Sequence, residues 1–464
     1  MPERDGLLAG RRRVHVVGAG GSGMSSIATV LAAMGHRVSG SDLRPSAALE
    51  RLAGLGVRTW VGHDPAGVAD ADLVAVSTAV PADDPEVAAA RSAGVPVLRR
   101  AAVLAAICAQ RRTIAVAGTH GKTTTSSMLA VALDAAGLDP SYVIGGDIAG
   151  IGPGARWGSG ELMVVEADES DGTFTELGYE VAVVTNLEAD HLEHHGSLAG
   201  LTAAFDRFAA AATAVVVTGA DDEGARGVGQ RAAAAGRPVR TFAAGGAHAA
   251  AVSATAVTTD RHGASFDVRV DGVAVGSVRL QVPGLHNVRN ALAALAAGLA
   301  VGGPPADLLE GLAGFRGVGR RAEWRGERDG ITFVDDYGHL PGEVAAMLAA
   351  ARSGGWGRVV AVFQPHRYSR TEALWRDFGP AFADADVVVV TDVYASGEAP
   401  RPGVDGSLVA DAVRAAHPGP VHYVADLADL PAALEHLLQP GDLCLTLGAG
   451  DLTTVVDRLV AGPA

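Results

Sequence analysis

The chain has 464 residues, of which 48% are hydrophobic and 19% are charged. This is enough for about two to four globular domains with separate cores, and we expect about three. Its 37 Lys and Arg against 52 Asp and Glu give a net charge of −15, which argues against sequence-independent binding of nucleic acid or anionic lipid. Cys108 and Cys444 are far apart and lack metal-binding spacing, so we expect no disulfide framework, no zinc site and a cytoplasmic protein.

The N-terminus, MPERDGLLAGRRRVHVVG, passes directly into a β-like segment without an apolar signal core. We therefore expect no export. The longest apolar tract begins at Ala291 and is about thirteen residues long, shorter than the roughly twenty needed to span a bilayer. This tract predicts a buried helix, and no membrane partner is expected.

From Val14 to about Val97 short apolar runs alternate with stretches rich in Ala and Leu, which predicts a parallel sheet with crossover helices. The segment GAGGSGM, Gly18 to Met24, follows the first strand and opens a helix, and Asp42 ends the next strand. Such a loop brings backbone N–H groups and a helix N-terminus to a diphosphate. The loop alone does not separate NAD from a nucleotide-sugar.

A second junction between a strand and a helix carries IAVAGTHGKTTT. The usual phosphate loop, G-x-x-x-x-G-K-[ST], would place a glycine at Val116, whereas here Gly118 precedes Gly121 more closely. In such a loop the N–H groups converge on phosphate oxygens, Lys122 reaches the β- and γ-phosphates, and the Thr123 hydroxyl binds Mg²⁺. We interpret the segment as a shortened phosphate loop.

Two further strands in this region end in polar residues. ELMVVEADESD places Glu166 at a strand end, where phosphate-loop enzymes commonly extend a carboxylate toward Mg²⁺. VAVVTNLEADHLEHHG continues into Asn186, Asp190 and His191. The histidines here lack the cysteines or the H-E-x-x-H spacing of a zinc site, so we expect at most one of them near a metal.

The spacing of apolar residues changes in the next part of the chain. Between Val252 and Val282 apolar and polar residues alternate around an Asp271-Gly272 turn, which predicts an antiparallel ribbon. A third series of strands separated by helix-length segments follows, from ITFVDDY to DLCLTLGAG. The whole pattern predicts an α/β protein with domain boundaries near Arg111 and Arg320.

Taken in order, GTHGKTT, EADESD, TNLEADH and GLHNVRNALAA resemble the ATP-binding domain of the Mur ligase family, whose loop reads G-T-x-G-K-[ST]. The resemblance extends over essentially the whole chain. It implies a Rossmann-like UDP-sugar domain at 1–108, a central phosphate-loop ATPase-like domain at 109–318 with a mixed sheet and the ribbon, and a Rossmann-like amino-acid domain at 319–464. It also implies ATP and Mg²⁺ as cofactors, and we expect a monomer or weak homodimer.

The resemblance assigns residues to each ligand. ATP would bind Gly118, Thr119, His120, Gly121, Lys122, Thr123, Thr124, Asn287, Asn290 and Arg321. The UDP-sugar would bind Gly18, Gly20, Gly21, Gly23, Met24, Asp42 and Ser170. The metal ligands would be Thr123, Glu166 and His191, and Lys122 and His191 would take part in catalysis.

Flanking motifs such as FRGVGRRAE, DDYGH and QPHRYSRT are similar to the family member that joins L-alanine to UDP-N-acetylmuramate for peptidoglycan synthesis. That similarity implies that ATP converts the lactyl carboxylate to an acyl-phosphate, which the alanine amine attacks. Arg367 and Arg370 are spaced to grip one carboxylate, and with Tyr337 they form the expected amino-acid site. His339 and His366 are both candidates for the proton acceptor, and the choice between them stays open.

The chain departs from the family pattern in DDYGHLPGE, where Leu340 replaces a second histidine and Gly342 replaces a hydroxyl residue. A role that rests on the second histidine therefore does not carry over. No lysine is positioned to act as the carbamylated lysine of some relatives.

Three alternatives remain at this level. The nearest is a recycling ligase that attaches a whole peptide to the same sugar, which should lack the HRYSR segment. An NAD-dependent dehydrogenase would explain GAGGSG and Asp42 but would leave GKTTT and EADESD unexplained. The third is a non-catalytic nucleotide-binding regulator.

Overall fold

The structure is a computed structural model that describes residues 6–170, 172–190, 192–245, 248–352 and 354–461. The chain forms two compact units. One comprises the residues up to Val257 together with Ser265–Leu280 and His286–Phe315, and it holds the first sheet and most of the second. The other comprises Thr258–Ala264, Gln281–Leu285 and the residues from Arg316 onward. The predicted α/β fold with three sheet-based domains is confirmed, whereas the boundaries at residues 108 and 318 stay predictions.

The first sheet is parallel throughout, with strand order β3-β2-β1-β4-β5. Its strands are β1 (Arg13–Val17), β2 (Arg37–Asp42), β3 (Arg58–Val61), β4 (Leu73–Val76) and β5 (Val97–Arg99). Its helices are α1 (Ser22–Ala33), α2 (Ala47–Gly54), α3 (Pro85–Ser92) and α4 (Arg100–Cys108). The strand order reverses between β1 and β4, the point where doubly wound sheets bind ligands, and the glycine-rich loop follows β1 there.

The second sheet has ten strands in the order β15-β14-β13-β12-β11-β10-β6-β9-β7-β8. Its strands are β6 (Arg112–Ala117), β7 (Ser141–Val143), β8 (Ala155–Arg156), β9 (Leu162–Glu166), β10 (Val181–Val184), β11 (Val215–Gly219), β12 (Val239–Ala243), β13 (Val252–Asp260), β14 (Gly263–Val270) and β15 (Val273–Leu280). Its helices are α5 (Lys122–Ala135), α6 (Leu192–His195), α7 (Leu198–Ala211), α8 (Glu223–Ala234), α9 (Leu285–Ala300) and α10 (Pro305–Gly314). Because β6 pairs in parallel with both β9 and β10, the carboxyl ends of these three strands lie at one edge.

Two local predictions in this sheet are confirmed. Asp271 and Gly272 have φ values of +48° and +80°, as required for a two-residue turn between β14 and β15. The apolar tract from Ala291 lies in α9, where Ala291 to Gly298 are all buried. Within the described part of the chain, no helix is both long and apolar enough to cross a membrane.

The third sheet has the order β16-β17-β21-β18-β19-β20. Its strands are β16 (Glu323–Arg328), β17 (Ile331–Asp336), β18 (Arg358–Phe363), β19 (Val387–Val390), β20 (Val421–Tyr423) and β21 (Asp442–Leu447). Its helices are α11 (Pro341–Arg352), α12 (Tyr368–Leu374), α13 (Phe378–Ala381), α14 (Gly406–Ala416), α15 (Leu430–Leu437) and α16 (Thr453–Ala461). Only β16 runs antiparallel, and its sequence EWRGER did not predict a strand because charged residues dominate it, as is common at sheet edges.

Candidate active site

The phosphate loop joins the carboxyl end of β6 to the start of α5. Gly118 and Gly121 have φ values of +143° and +80°. A Cβ on Gly118 would overlap the Thr185 hydroxyl, and one on Gly121 would overlap the Asn290 side chain. Both positions therefore require glycine for backbone conformation and for space. Thr124 lies half-buried in the first turn of α5.

Residues that follow the neighbouring strand β10 hold this loop. The Asn186 side-chain oxygen accepts the His120 N–H at 2.8 Å, and the Thr185 hydroxyl donates to the His120 carbonyl at 2.7 Å. The Thr119 hydroxyl accepts the Glu188 N–H at 2.9 Å. These contacts fix the loop before a phosphate binds. In the sequence Asn186 stands out only as a polar residue after a strand, and Thr185 was not identified.

Lys122 is the first residue of α5, and its ammonium group points back across the loop. Nζ donates to the carbonyls of Gly118 and Thr119 at 2.7 and 3.1 Å and to Glu169 Oε1 at 2.8 Å. Burial lowers the pKa of Lys122, but nearby carboxylates, Glu169 foremost, outweigh burial and raise that pKa, so the ammonium group stays charged. Glu169 is 1% exposed, and its Oε2 has no hydrogen-bond partner among the described residues. Its sequence position alone gave it no role.

A hydroxyl and a carboxylate lie together beside the loop. Glu166 Oε1 accepts the Thr123 hydroxyl at 2.9 Å, and Glu166 Oε2 accepts the Gly145 N–H at 2.6 Å. Thr123 and Glu166 were both predicted as metal ligands. His191, the third predicted ligand, lies outside the described residues, and His195 places Nε2 2.8 Å from the Glu169 carbonyl oxygen.

Asn287 and Asn290 lie on α9, and both are buried. The Asn290 side-chain oxygen accepts the Thr125 hydroxyl at 3.3 Å, and its amide nitrogen donates to Asn287 at 3.3 Å. These contacts place Asn290 against the first turn of α5. The predicted contact of the two asparagines with ATP stays a prediction.

The glycine-rich loop after β1 is anchored to the end of β2. The Gly18 N–H donates to the Ser41 carbonyl, and the Gly20 N–H donates to Asp42 Oδ2, both at 2.9 Å. Asp42 Oδ1 also accepts the Arg44 N–H at 3.3 Å. Both oxygens of Asp42 therefore hold backbone in this structure. Its predicted contact with the UDP-sugar remains a prediction.

Gly21 caps α1 without a side-chain hydrogen bond, so the cap residue does not occupy the N-terminal N–H groups of the helix. The side chain of Met24 is buried, so contact with a ligand would come from its backbone. A Cβ on Gly23 would overlap the guanidinium group of Arg100. Arg100 Nε is buried without a hydrogen-bond partner among the described residues. Arg100 was missed from the sequence because it lies far along the chain, at the start of α4.

Ser170 follows the end of β9. Its backbone N–H donates to Asp168 Oδ1 at 3.0 Å, and the residue is half-buried. Its predicted contact with the UDP-sugar stays a prediction.

In the second unit, the two predicted carboxylate-binding arginines occupy different backbone environments. Arg370 lies on α12, whereas Arg367 precedes the helix with a φ of +68°. The Arg367 N–H donates to the Tyr394 carbonyl at 2.8 Å. Glu398 accepts the N–H and the hydroxyl of Ser369 at 2.9 and 2.6 Å, which fixes the residue between the two arginines.

His339 and His366 lie beside Arg370. Their ring centroids are 5.4 Å apart, and His366 Nδ1 lies 3.2 Å from the Arg370 guanidinium group. The Tyr337 ring packs edge-on against His339, with centroids 5.4 Å apart, and the Arg321 guanidinium group lies 5.2 Å from the Tyr337 centroid. The structure thus brings these five predicted residues together at the carboxyl ends of β17 and β18.

Comparison with known proteins gives matches over the whole fold. Residues 13–112 match the Mur ligase family, catalytic domain, residues 116–298 the Mur ligase middle domain, and residues 320–450 the Mur ligase, glutamate ligase domain. The chain is 51% identical over 454 residues to a UDP-N-acetylmuramate--L-alanine ligase of Kineococcus radiotolerans, covering 96% of this chain and 94% of that protein. This chain belongs to the Mur ligase family.

Other relatives support the same membership. A UDP-N-acetylmuramate--L-alanine ligase of Acidothermus cellulolyticus is 47% identical, with coverage of 97% of this Mur ligase and 94% of the relative. The crystal structure of UDP-N-acetylmuramate-alanine ligase MurC from Thermotoga maritima aligns with a TM-score of 0.81 at 30% identity, covering 97% and 99% of the two chains. A murein peptide ligase from Psychrobacter arcticus shares the fold, with a TM-score of 0.70 at 23% identity and coverage of 97% and 98%.

The oxygen atoms beside the phosphate loop of this Mur ligase fit a Mg²⁺ ion. Thr123 Oγ1 and Glu166 Oε1 are hard oxygen donors 2.9 Å apart. Magnesium prefers such ligands and is usually completed by water and substrate phosphates. The Gly145 N–H fixes the remaining carboxylate oxygen, so Glu166 is already oriented toward Thr123.

The departure at Leu340 leaves the start of α11 intact. Glu343 Oε2 accepts the backbone N–H groups of His339 and Leu340 at 2.8 and 3.1 Å. These bonds satisfy N–H groups at the start of the helix and do not depend on the side chain at position 340. A Cβ on Gly342 would meet no atom within 4 Å, so steric crowding does not account for the glycine there.

Proposed function

We propose that this chain is an ATP-dependent ligase that joins L-alanine to the lactyl carboxylate of UDP-N-acetylmuramate, a step in peptidoglycan precursor synthesis. The observation that carries the proposal is the shortened phosphate loop, with Lys122 held across it, in a chain 51% identical to a ligase of that name. A carboxylate is a poor electrophile, so amide formation in water requires activation by ATP.

The phosphate loop would hold ATP and position its γ-phosphate. The N–H groups between Gly118 and Lys122 would bind phosphate oxygens, and Lys122 would neutralise the charge that develops during transfer. Thr123 and Glu166 would hold Mg²⁺, which when bound neutralises phosphate charge. We keep His191 as the proposed ligand of a second Mg²⁺ ion near the acyl-phosphate.

The UDP-sugar would bind at the glycine-rich loop after β1. Its diphosphate would accept hydrogen bonds from N–H groups at the start of α1, and Arg100 would provide a cation beside Gly23. A lactyl carboxylate oxygen then attacks the γ-phosphorus, ADP leaves, and an acyl-phosphate remains.

The second unit would bind the amino acid. Arg370 and Arg367 would hold the carboxylate of L-alanine, with Tyr337 beside them. The amine attacks the acyl carbon, the bond from that carbon to the phosphate oxygen breaks, and inorganic phosphate carries that oxygen away. Because its substrates are ATP and a UDP-sugar, we place the reaction in the cytoplasm, and a monomer or weak homodimer stays our expectation.

The alternative ligase that attaches a peptide to the same sugar is less well supported. The HRYSR segment, expected to be absent from such an enzyme, is present at the start of α12. The dehydrogenase alternative is weaker still, because it leaves the phosphate loop and Glu166 without a role.

The deciding experiment is ADP release measured with UDP-N-acetylmuramate and a panel of single amino acids. We expect release to require the sugar and to be fastest with L-alanine. Release that is indifferent to the amino acid would contradict the substrate assignment. With ¹⁸O in the lactyl carboxylate, we also expect the label in the released phosphate, since the acyl-phosphate transfers that oxygen.

A further inference from the structure

The proposed reaction needs a group that removes a proton from the amine, and two imidazoles stand beside the proposed carboxylate-binding arginines. His339 follows β17, and His366 follows β18. In each ring one nitrogen already has a defined hydrogen-bond partner. The two partners differ in chemistry, so they set different tautomers.

In His339, Nδ1 lies 3.1 Å from the carbonyl oxygen of Tyr337. A carbonyl oxygen can only accept a hydrogen bond, so Nδ1 carries the hydrogen. The neutral ring therefore has its lone pair on Nε2. Among the described residues, the printed polar contacts of the His339 ring involve Nδ1, to the Tyr337 carbonyl and to Glu343.

In His366, Nδ1 lies 3.2 Å from Nη1 of Arg370. A guanidinium group can only donate, so Nδ1 is the acceptor and the hydrogen of the neutral ring is on Nε2. The lone pair of His366 is thus already used. Its ring also stacks on Tyr394, with centroids 5.7 Å apart and an interplanar angle of 14°, which limits its rotation.

From these two hydrogen bonds we propose that His339 Nε2 accepts the proton of the substrate amine, and that His366 is a positioning residue that orients Arg370. The proposal rests on the proposed ligase function. It assigns different roles to two residues of the same type, which their sequence positions alone could not do.

The charges around His339 suit a proton acceptor. Burial lowers the pKa of His339, and Arg370 and Arg321 lower it further, so the ring is neutral at neutral pH. Glu343 acts in the opposite direction, with Oε2 3.4 Å from Nδ1. The imidazolium formed by proton transfer would therefore face a carboxylate.

The surroundings of His366 also disfavour a charged ring. Burial, followed by His339, Arg370 and Arg367, lowers the pKa of His366 to about 4, against a smaller opposite effect of Glu398. His366 therefore stays neutral in the range where the enzyme would work. The hydrogen of this neutral ring is on Nε2, because Nδ1 accepts from Arg370.

Proton transfer and amide formation balance in atoms and electrons. An ammonium N–H bond breaks, the proton goes to His339 Nε2, and the freed lone pair of the amine forms the bond to the acyl carbon. The bond from that carbon to the phosphate oxygen breaks with its electron pair, which leaves with the phosphate. The second amine proton leaves as the amide forms, and phosphate or solvent accepts it. No oxidant or additional reactant is needed.

The test compares His339→Asn with His366→Asn in the full-length protein. The amide nitrogen of Asn at 339 can occupy the place of Nδ1–H and keep the bond to Tyr337, but it offers no basic nitrogen in place of Nε2. At 366, the amide oxygen of Asn can accept from Arg370. The two variants therefore retain the local hydrogen bonds and differ in the group that they remove.

We expect His339→Asn to lower the alanine-dependent rate at neutral pH by about 10²- to 10⁴-fold, the usual effect of a general base. Its rate should rise about tenfold per pH unit toward the pKa of the alanine amine, because it uses amine that is already deprotonated. The wild-type rate should be flat over that range. His366→Asn should keep the flat profile and show its main effect on the KM for alanine. A flat profile for His339→Asn, or a rising one for His366→Asn, would overturn the assignment.

A second measurement distinguishes the loss of the proton acceptor from misfolding of the variant and from a loss of acyl-phosphate formation. Hydroxylamine is unprotonated at neutral pH, so His339→Asn should form hydroxamate from the acyl-phosphate at close to the wild-type rate. An equal loss with hydroxylamine and with alanine would contradict a role in deprotonation. If instead the wild-type protein releases no ADP with UDP-N-acetylmuramate and alanine, the proposed function fails, a result distinct from a failure of the base assignment.

Discussion

The ammonium group of Lys122 lies 2.8 Å from the carboxylate of Glu169, which is 1% exposed. Residue 122 opens α5, whereas residue 169 lies in the loop after β9. In this arrangement the lysine that would bind phosphate is already paired with a buried counter-charge. Nucleotide binding must therefore share or replace that contact.

Replacing Lys122 by Met should separate a loss of activity from a loss of stability. We expect the rate of ADP release to fall roughly tenfold to hundredfold, the value of a charge-assisted contact. Because Glu169 is left buried and unpaired, the variant should also be destabilised by about 3–5 kcal/mol in urea unfolding. The double variant Lys122→Met/Glu169→Gln should recover much of that stability without recovering activity. Equal destabilisation of the single and double variants would contradict the pairing.

Replacing Glu166 by Gln should raise the Mg²⁺ concentration needed for half-maximal ADP release by at least about tenfold, because an amide oxygen binds the ion more weakly than a carboxylate. The measurement is a Mg²⁺ titration at saturating substrates. Glu180→Gln removes a carboxylate that pairs with Arg112 at 2.8 Å and serves as the control. An unchanged Mg²⁺ requirement in Glu166→Gln would exclude this residue as a ligand.

Replacing Arg100 by Met should raise the KM for the UDP-sugar by roughly tenfold to hundredfold, because a cation next to the diphosphate is lost. The KM for ATP should stay close to the wild-type value. Arg99→Met removes an exposed guanidinium group from the preceding residue and controls for net charge. Equal effects of the two substitutions would show that long-range charge, and not contact with the ligand, is responsible.

The buried carboxylate of Glu86 should make the protein sensitive to acid. Its Oε2 accepts the Ser41 hydroxyl at 2.5 Å and lies 3.4 Å from His15 Nε2. Burial raises the pKa of Glu86, but the bonds from His15 and Ser41 outweigh it and leave that pKa below the usual 4.5. The stabilisation is therefore present above pH 4.5 and is lost as the pH falls through the lower pKa of the folded state.

We accordingly expect Glu86→Gln to lower the melting temperature at neutral pH and to flatten its decline below about pH 4.5. Thermal unfolding monitored by circular dichroism across this range is the measurement. Glu50→Gln removes an exposed carboxylate from α2 and controls for the change in net charge. If the melting temperature of Glu86→Gln fell with pH as steeply as that of the wild type, other groups would dominate acid unfolding.

Much of the fold was predictable because its signals are local. Alternation of apolar runs with helical stretches predicted the parallel sheets, and Asp271-Gly272 predicted the turn between β14 and β15. The edge strand β16 was missed, since a strand that pairs on one side and carries many charges shows little hydrophobic periodicity.

The sequence by itself determined the phosphate loop and the placement of Glu166, Tyr337, His339 and His366 at or just after strand ends, because local apolar runs mark those strands. Only the tertiary structure decided which side chains hold these groups. Asn186 fixes His120 from 66 positions away, Glu169 pairs with Lys122 from 47 positions away, and Arg100 reaches Gly23 from another strand end. The physical reason is that hydrogen bonds and ion pairs depend on distances of a few ångströms in space, which sheet order sets and sequence spacing does not record.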